Sequence, residues 1–113
     1  MVSIFSKIIR GEIPSKKVFE NERILAIEDI APAAPVHILI MPKKEITCLH
    51  EVKEEDLPLI AEIVQVAQKL AKEFKIEDGY RLLTNSGADA GQTVFHLHFH
   101  LLGGERMSHF GVG

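Results

Sequence analysis

Cysteine occurs once in this 113-residue chain, at Cys48, so no intrachain disulfide can form and the chain suits a reducing compartment. No basic residue adjoins that thiol, which reads as an ordinary buried or half-buried one. Long apolar runs are also missing. The amphipathic stretch Met1–Arg10 is too short for a signal peptide or a membrane span, and the expected location is cytoplasmic. Positive charge is in no surplus either. Thirteen Lys and Arg against sixteen Asp and Glu leave a net −3, with no general attraction to nucleic acid or anionic membrane. Without repeats, low-complexity tracts or linkers, residues 1–113 read as one domain.

What is present is a clear succession of periods. Ile4, Phe5, Ile8 and Ile9 recur at helical spacing, closed by Gly11. Strands are expected at Lys17–Glu20, Arg23–Asp29 and Val36–Met41, the last β-branched and stopped by Pro42. From Glu54 to Lys75 the period becomes helical, with Leu57, Ile60, Val64, Ala67, Ala71 and Phe74 forming the expected buried stripe. Pro58 falls in the first turn, where a missing N–H is tolerated. Asp78-Gly79 turns into a strand at Tyr80–Thr84, and a final strand is expected over Gln92–Leu102. This order, without βαβ alternation, predicts an α+β fold: an antiparallel sheet of about five strands, one long and one short helix, helix covering one face.

The final strand carries the chemistry. His96-Leu97-His98-Phe99-His100-Leu101-Leu102 holds half of the six histidines. Alternation places His96, His98 and His100 on one solvent-facing stripe, with Leu97, Phe99 and Leu101 packed beneath. An imidazole serves as metal ligand, proton carrier or nucleophile near neutral pH. His-x-His on a strand is a common metal pair. Three in a straight row, with neighbouring Cα atoms roughly 6.5–7 Å apart and the outer two roughly 13 Å, fit a tetrahedral ion poorly.

An elongated anion such as a phosphate chain suits the row better. The preceding loop, Asn85-Ser86-Gly87-Ala88-Asp89-Ala90-Gly91, has glycines that allow close backbone approach and exposed N–H groups. Asn85, Gln92 and Thr93 add neutral donors. Against phosphorus, an imidazole can form a covalent intermediate that water resolves. His98, flanked on both sides, is the best-placed nucleophile, with its neighbours stabilising charge. Thr93 or a histidine would relay a proton to the leaving group.

These residues resemble the histidine-triad (HIT) family, whose signature is His-x-His-x-His followed by two apolar positions. The similarity runs through Ile4–Pro14, Asp29-Ile30, Ala34–Ile40, Pro42-Lys43-Lys44, Gly91–Val94 and His96–Gly104. It points to the branch of histidine triad nucleotide-binding proteins that hydrolyse nucleoside phosphoramidates. The resemblance implies a homodimer whose two sheets join, a purine nucleotide at each site, and hydrolysis of adenosine monophosphate linked to an amine or lysine. It implies His98 as nucleophile, His100 and His96 on the phosphate, and His37 supporting them from the adjacent strand. Asn85, Gly91, Gln92 and Thr93 would hold the phosphate. Asp29 would take the ribose hydroxyls beside Ile30, and Phe5, Ile8, Ile13 and Ile27 would wall the base.

Two departures stand out. Many bacterial relatives bind structural zinc through Cys-x-x-Cys and a histidine after Pro-Lys-Lys. Here those positions are Ser3, Ser6 and Glu45, so no metal or cofactor is expected. The tail Glu105–Gly113 also differs from the usual ending. His50 and His109 read as surface residues. Two other readings stay open: a dinucleoside polyphosphate hydrolase, or a nucleotide-binding regulatory module whose hydrolysis is incidental.

Overall fold

The computed structural model describes residues 2–108; His109 and the end of the divergent tail lie outside the described residues. Ile4–Ile9 forms α1, capped by Ser3, whose hydroxyl accepts from the Ser6 amide at 3.1 Å. β1 (Lys17–Glu20), β2 (Ile24–Glu28) and β3 (Val36–Pro42) follow. Two 3₁₀ turns, Leu49–Glu51 and Glu54–Asp56, lead into α2 (Leu57–Glu73), with Pro58 in its first turn. β4 (Tyr80–Leu83), a further 3₁₀ turn at Ala88–Ala90 and β5 (Phe99–Gly103) complete the order. The five strands form one antiparallel sheet in the order β1-β2-β3-β5-β4. This is the α+β architecture expected from the sequence.

Strand alternation sorts the side chains onto two faces. Ile24, Ala26, Ile38, Ile40, Phe99 and Leu101 pack under α2 against Ile63, Val66 and Leu70. Leu25, Ile27, Leu39 and Met41 face the other way and meet Phe5 and Ile8 of α1. Both faces are therefore helix-covered, where one was expected. Double coverage explains why β2 and β3 are buried at nearly every position instead of alternating.

Two further expectations need correction. In α2 the fully buried stripe is Ile63, Val66, Ala67, Leu70 and Ala71, while Leu57 and Val64 are exposed. The helix carries enough apolar residues for two overlapping stripes, and contact with the sheet selects one. The last strand begins at Phe99, not Gln92. Pairing of β3 with β5 stops at Ile40↔Phe99, because Pro42 further along β3 has no N–H to offer the ladder. The chain bends instead, and the Leu97 amide bonds to the Ile46 carbonyl at 2.7 Å. Leu97 still reaches the core beneath α2.

Candidate active site

The bend breaks up the histidine row. His96 is 2% exposed and His98 8%, so neither lies on a solvent-facing stripe. The Nε2 of His96 contacts the Pro42 carbonyl at 2.7 Å, and the Nδ1 of His98 contacts the His96 carbonyl at 2.7 Å. A carbonyl only accepts, so each of those ring nitrogens carries the proton. His98 is left with Nε2 as an unprotonated lone pair. Its ring centroid lies 5.1 Å from that of His100 and 4.8 Å from Phe5, which meets it edge-on at 83°.

His100, on β5, is two residues out of cross-strand register with His37 on β3, yet the two rings meet on the same face. The His37 Nδ1 accepts from the Ala33 amide at 3.0 Å. The His37 proton is therefore on Nε2, 2.9 Å from the His100 Nδ1 and 3.4 Å from the Asp29 Oδ2. His100 accepts at Nδ1 and holds its own proton on Nε2. A single backbone amide thus sets two tautomers in succession.

Asp29, His37 and His100 place ligand atoms within 4.8 Å of one another, close enough to suggest a cation site. The Ala33 amide argues against it. A metal on the His37 Nε2 would move that ring's proton to Nδ1, directly against the Ala33 N–H. At the positions where zinc-binding relatives differ, Ser6 is buried and donates its hydroxyl to the Glu45 Oε1 at 3.0 Å, with the Ser3 hydroxyl 3.2 Å away. These oxygens satisfy one another and tie α1 to the loop after β3.

Burial holds all four imidazoles neutral. It is the leading cause of the lowered pKa of His37, His96 and His98, opposed at His37 by Asp29 and at the other two by backbone carbonyl bonds. His100 falls furthest, from the ordinary 6.5 to about 4, through burial and the neighbouring His98 and His37. The unfolded chain consequently binds more protons than the folded one between about pH 4 and 6.5. Stability is fully present above that window and declines as pH falls through it, by up to about 1.4 kcal/mol per pH unit for each histidine. The urea midpoint is expected to be clearly lower at pH 5 than at pH 7.5; equal midpoints would contradict this account.

A cavity of about 300 Å³, at the small end for organic ligands, collects most of the residues singled out in the sequence. Phe5, Ile8, Ile13, Ile27, Asp29, Ile30, Thr93, His98 and His100 all line it. His37 stands behind His100. His96 does not line this cavity but a neighbouring one with Ser6, Glu45 and Phe95. Asn85 and Gly91 also lie outside it.

Gln92 departs most from expectation. It is buried, its Oε1 accepts from the Gly87 amide at 2.8 Å, and its Nε2 donates to the Thr47 and Val94 carbonyls at 2.8 and 3.0 Å. Both donors of that amide are spent on main-chain carbonyls, leaving none for phosphate. The amides of Gly87, Ala90, Gly91 and Gln92 are also taken internally, so they do not form the anion cradle expected of this loop. Sequence reading missed Ile4, Pro14, Ser15, Glu28, Leu39 and Val94, which also line the cavity. Pro14 ends the Ile4–Pro14 stretch that carries the family resemblance and Ser15 follows it, the one local signal that could have found them.

Together these features define a class: small α+β proteins in which a bend before the last strand brings buried, neutral imidazoles to an apolar cleft. The HIT domain model matches residues 10–107, and the chain belongs to the HIT family. A HIT-like protein of Chlamydia pneumoniae is 52% identical over 103 residues, covering 91% of this chain and 94% of the relative. A HIT family hydrolase from Clostridium thermocellum has a similar structure, with a TM-score of 0.91 and 51% identity over 94% of this chain and 93% of that one. A histidine triad nucleotide-binding protein from Candida albicans gives a TM-score of 0.79 and 40% identity, over 88% and 72%.

Proposed function

We propose that this protein hydrolyses purine nucleoside 5′-phosphoramidates through a covalent nucleotidyl-His98 intermediate. The observation that carries the reading is the tautomer of His98: Nδ1–H is held by the His96 carbonyl, which leaves Nε2 as a lone pair beside His100 in the cavity wall. Relatives named as a hydrolase and as a nucleotide-binding protein support it.

In this reading Ile8, Ile13 and Ile27 sandwich the base with Phe5, Asp29 takes the ribose beside Ile30, and Thr93 and His100 meet the phosphate. His98 Nε2 attacks phosphorus. The bond to the leaving nitrogen breaks as the Thr93 hydroxyl relays a solvent proton to it, while the His100 Nε2–H, on a ring oriented by His37, donates to a phosphoryl oxygen. Water then attacks phosphorus and gives a proton back to solvent as the bond to His98 Nε2 breaks, which releases the nucleoside monophosphate and restores neutral His98. His96 acts through its carbonyl, Gln92 and Gly91 shape the loop that presents Thr93, and Asn85 begins that loop. No metal or other cofactor enters the scheme, and the cytoplasm is its proposed location.

We also infer a homodimer. Among the described residues Leu57, Val64 and Tyr80 are exposed apolar groups, and β4 stands at one edge of the sheet.

Competition between an adenosine 5′-phosphoramidate and a dinucleoside polyphosphate on one protein sample tests the substrate class. The phosphoramidate is expected to win by about two orders of magnitude or more in kcat/KM, a gap of about 3 kcal/mol in transition-state binding. Preference for the polyphosphate overturns the reading, and so does nucleotide binding with no hydrolysis of either compound.

A further inference from the structure

Among the described residues, one shielded side-chain oxygen or nitrogen has no hydrogen-bond partner: the hydroxyl of Ser15. An unpartnered shielded hydroxyl is costly and uncommon in folded proteins. Its location makes it informative, because Ser15 lines the same cavity as Asp29, His98 and His100.

The register of the sheet brings Ser15 closer to one of these residues. β1 pairs Lys17 with Ile27, and the Glu28 amide bonds to the Lys16 carbonyl at 3.0 Å. Continuing that antiparallel register by two residues from Lys17 sets Ser15 across from Asp29. The two polar side chains therefore stand together in a wall that also holds Ile13, Pro14, Ile27 and Glu28, whose carboxylate is 3.1 Å from the Lys16 Nζ.

Asp29 is partly committed. Its Oδ1 accepts from the Ala31 amide at 2.8 Å and its Oδ2 lies 3.4 Å from the His37 Nε2. A carboxylate can only accept, whereas a sugar hydroxyl both donates and accepts. Asp29 alone would leave the accepting half of that hydroxyl unused. Turned from its shielded position toward the cavity, the Ser15 hydroxyl would supply that donor.

We propose that Ser15 is a specificity-determining residue that reads a ribose hydroxyl together with Asp29, making the site selective for ribonucleotides over one of the deoxy forms. This rests on the nucleotide reading of the cavity. Sites built to pair a substrate hydroxyl discriminate strongly against the analogue lacking it, because the site's own polar groups are then left without partners.

The test measures binding of AMP, 2′-deoxy-AMP and 3′-deoxy-AMP to wild type and Ser15→Ala, with the urea midpoint of each free protein. The wild type is expected to prefer AMP over one deoxy analogue by about tenfold or more, and Ser15→Ala to shrink that ratio about fivefold or more. In the free protein the substitution is expected to leave the midpoint unchanged or raise it, since it removes a group without a partner. The same deoxy ratios in both proteins overturn the assignment alone. A lowered midpoint overturns it too, by showing the hydroxyl already engaged. A wild type that binds none of the three nucleotides overturns the nucleotide reading and this assignment together.

Discussion

His98→Gln is expected to lower single-turnover hydrolysis of an adenosine 5′-phosphoramidate by about four orders of magnitude or more, as losses of other covalent nucleophiles do. Acid-quenched wild type should carry a nucleotidyl adduct by mass, and the variant none. Glutamine suits the experiment because it fills nearly the same space with a side-chain oxygen and nitrogen, leaving the packing edge of Phe5 largely in place. What it removes is the Nε2 lone pair, which the His96 carbonyl secures by holding the proton on Nδ1. AMP binding should change little, since Ile8, Ile13, Ile27 and Asp29 are untouched. Equal turnover in the two proteins, with no adduct on wild type, would remove His98 as nucleophile.

Gly104→Ala is expected to destabilise the fold by about 2–4 kcal/mol, combining left-handed backbone strain with overpacking. Gly104 has φ +99, a region that residues with a Cβ rarely occupy. A Cβ there would also lie 2.9 Å from the Pro35 Cβ and 3.5 Å from the Val36 amide nitrogen. The Val36 contact is an ordinary one, but the Pro35 Cβ is too close and cannot yield easily, because the proline ring is rigid and Val36 directly after it begins β3. The chain leaves β5 at this point, so strain here acts on the strand that carries His100. Urea unfolding at constant m-value checks the figure. A loss below about 0.5 kcal/mol, the range of ordinary surface substitutions, would contradict it.

Much of this architecture was legible in local pattern. β1 to β4 and both helices announced themselves through alternation, helical spacing and their Gly and Pro stops. Leu97, Phe99 and Leu101 showed their core-facing role through alternation alone. What failed was decided at a distance. The start of β5 depends on Pro42, more than fifty residues earlier in the chain. Gln92 and Thr93 are adjacent neutral donors, and only the turn of the loop decides that one braces Thr47 and Val94 while the other lines the cavity. In α2, too many apolar residues made the buried stripe ambiguous. Hardest of all was the His37 tautomer, set by the main-chain amide of Ala33. A backbone group has no residue type, so no motif can report it.

The sheet also acts as a partition. Among the described residues, fourteen buried hydrophobic ones gather on the α2 side and six on the side that walls the cleft. Folding and recognition are thereby assigned to opposite surfaces of the same strands. Drift among Ile63, Val66 and Leu70 can alter the lifetime of the fold without touching what the cleft accepts. On the other side a single exchange, at Ile13 or Ile27 for instance, redraws a large share of the wall. Such a protein can change its ligand quickly while its scaffold changes slowly.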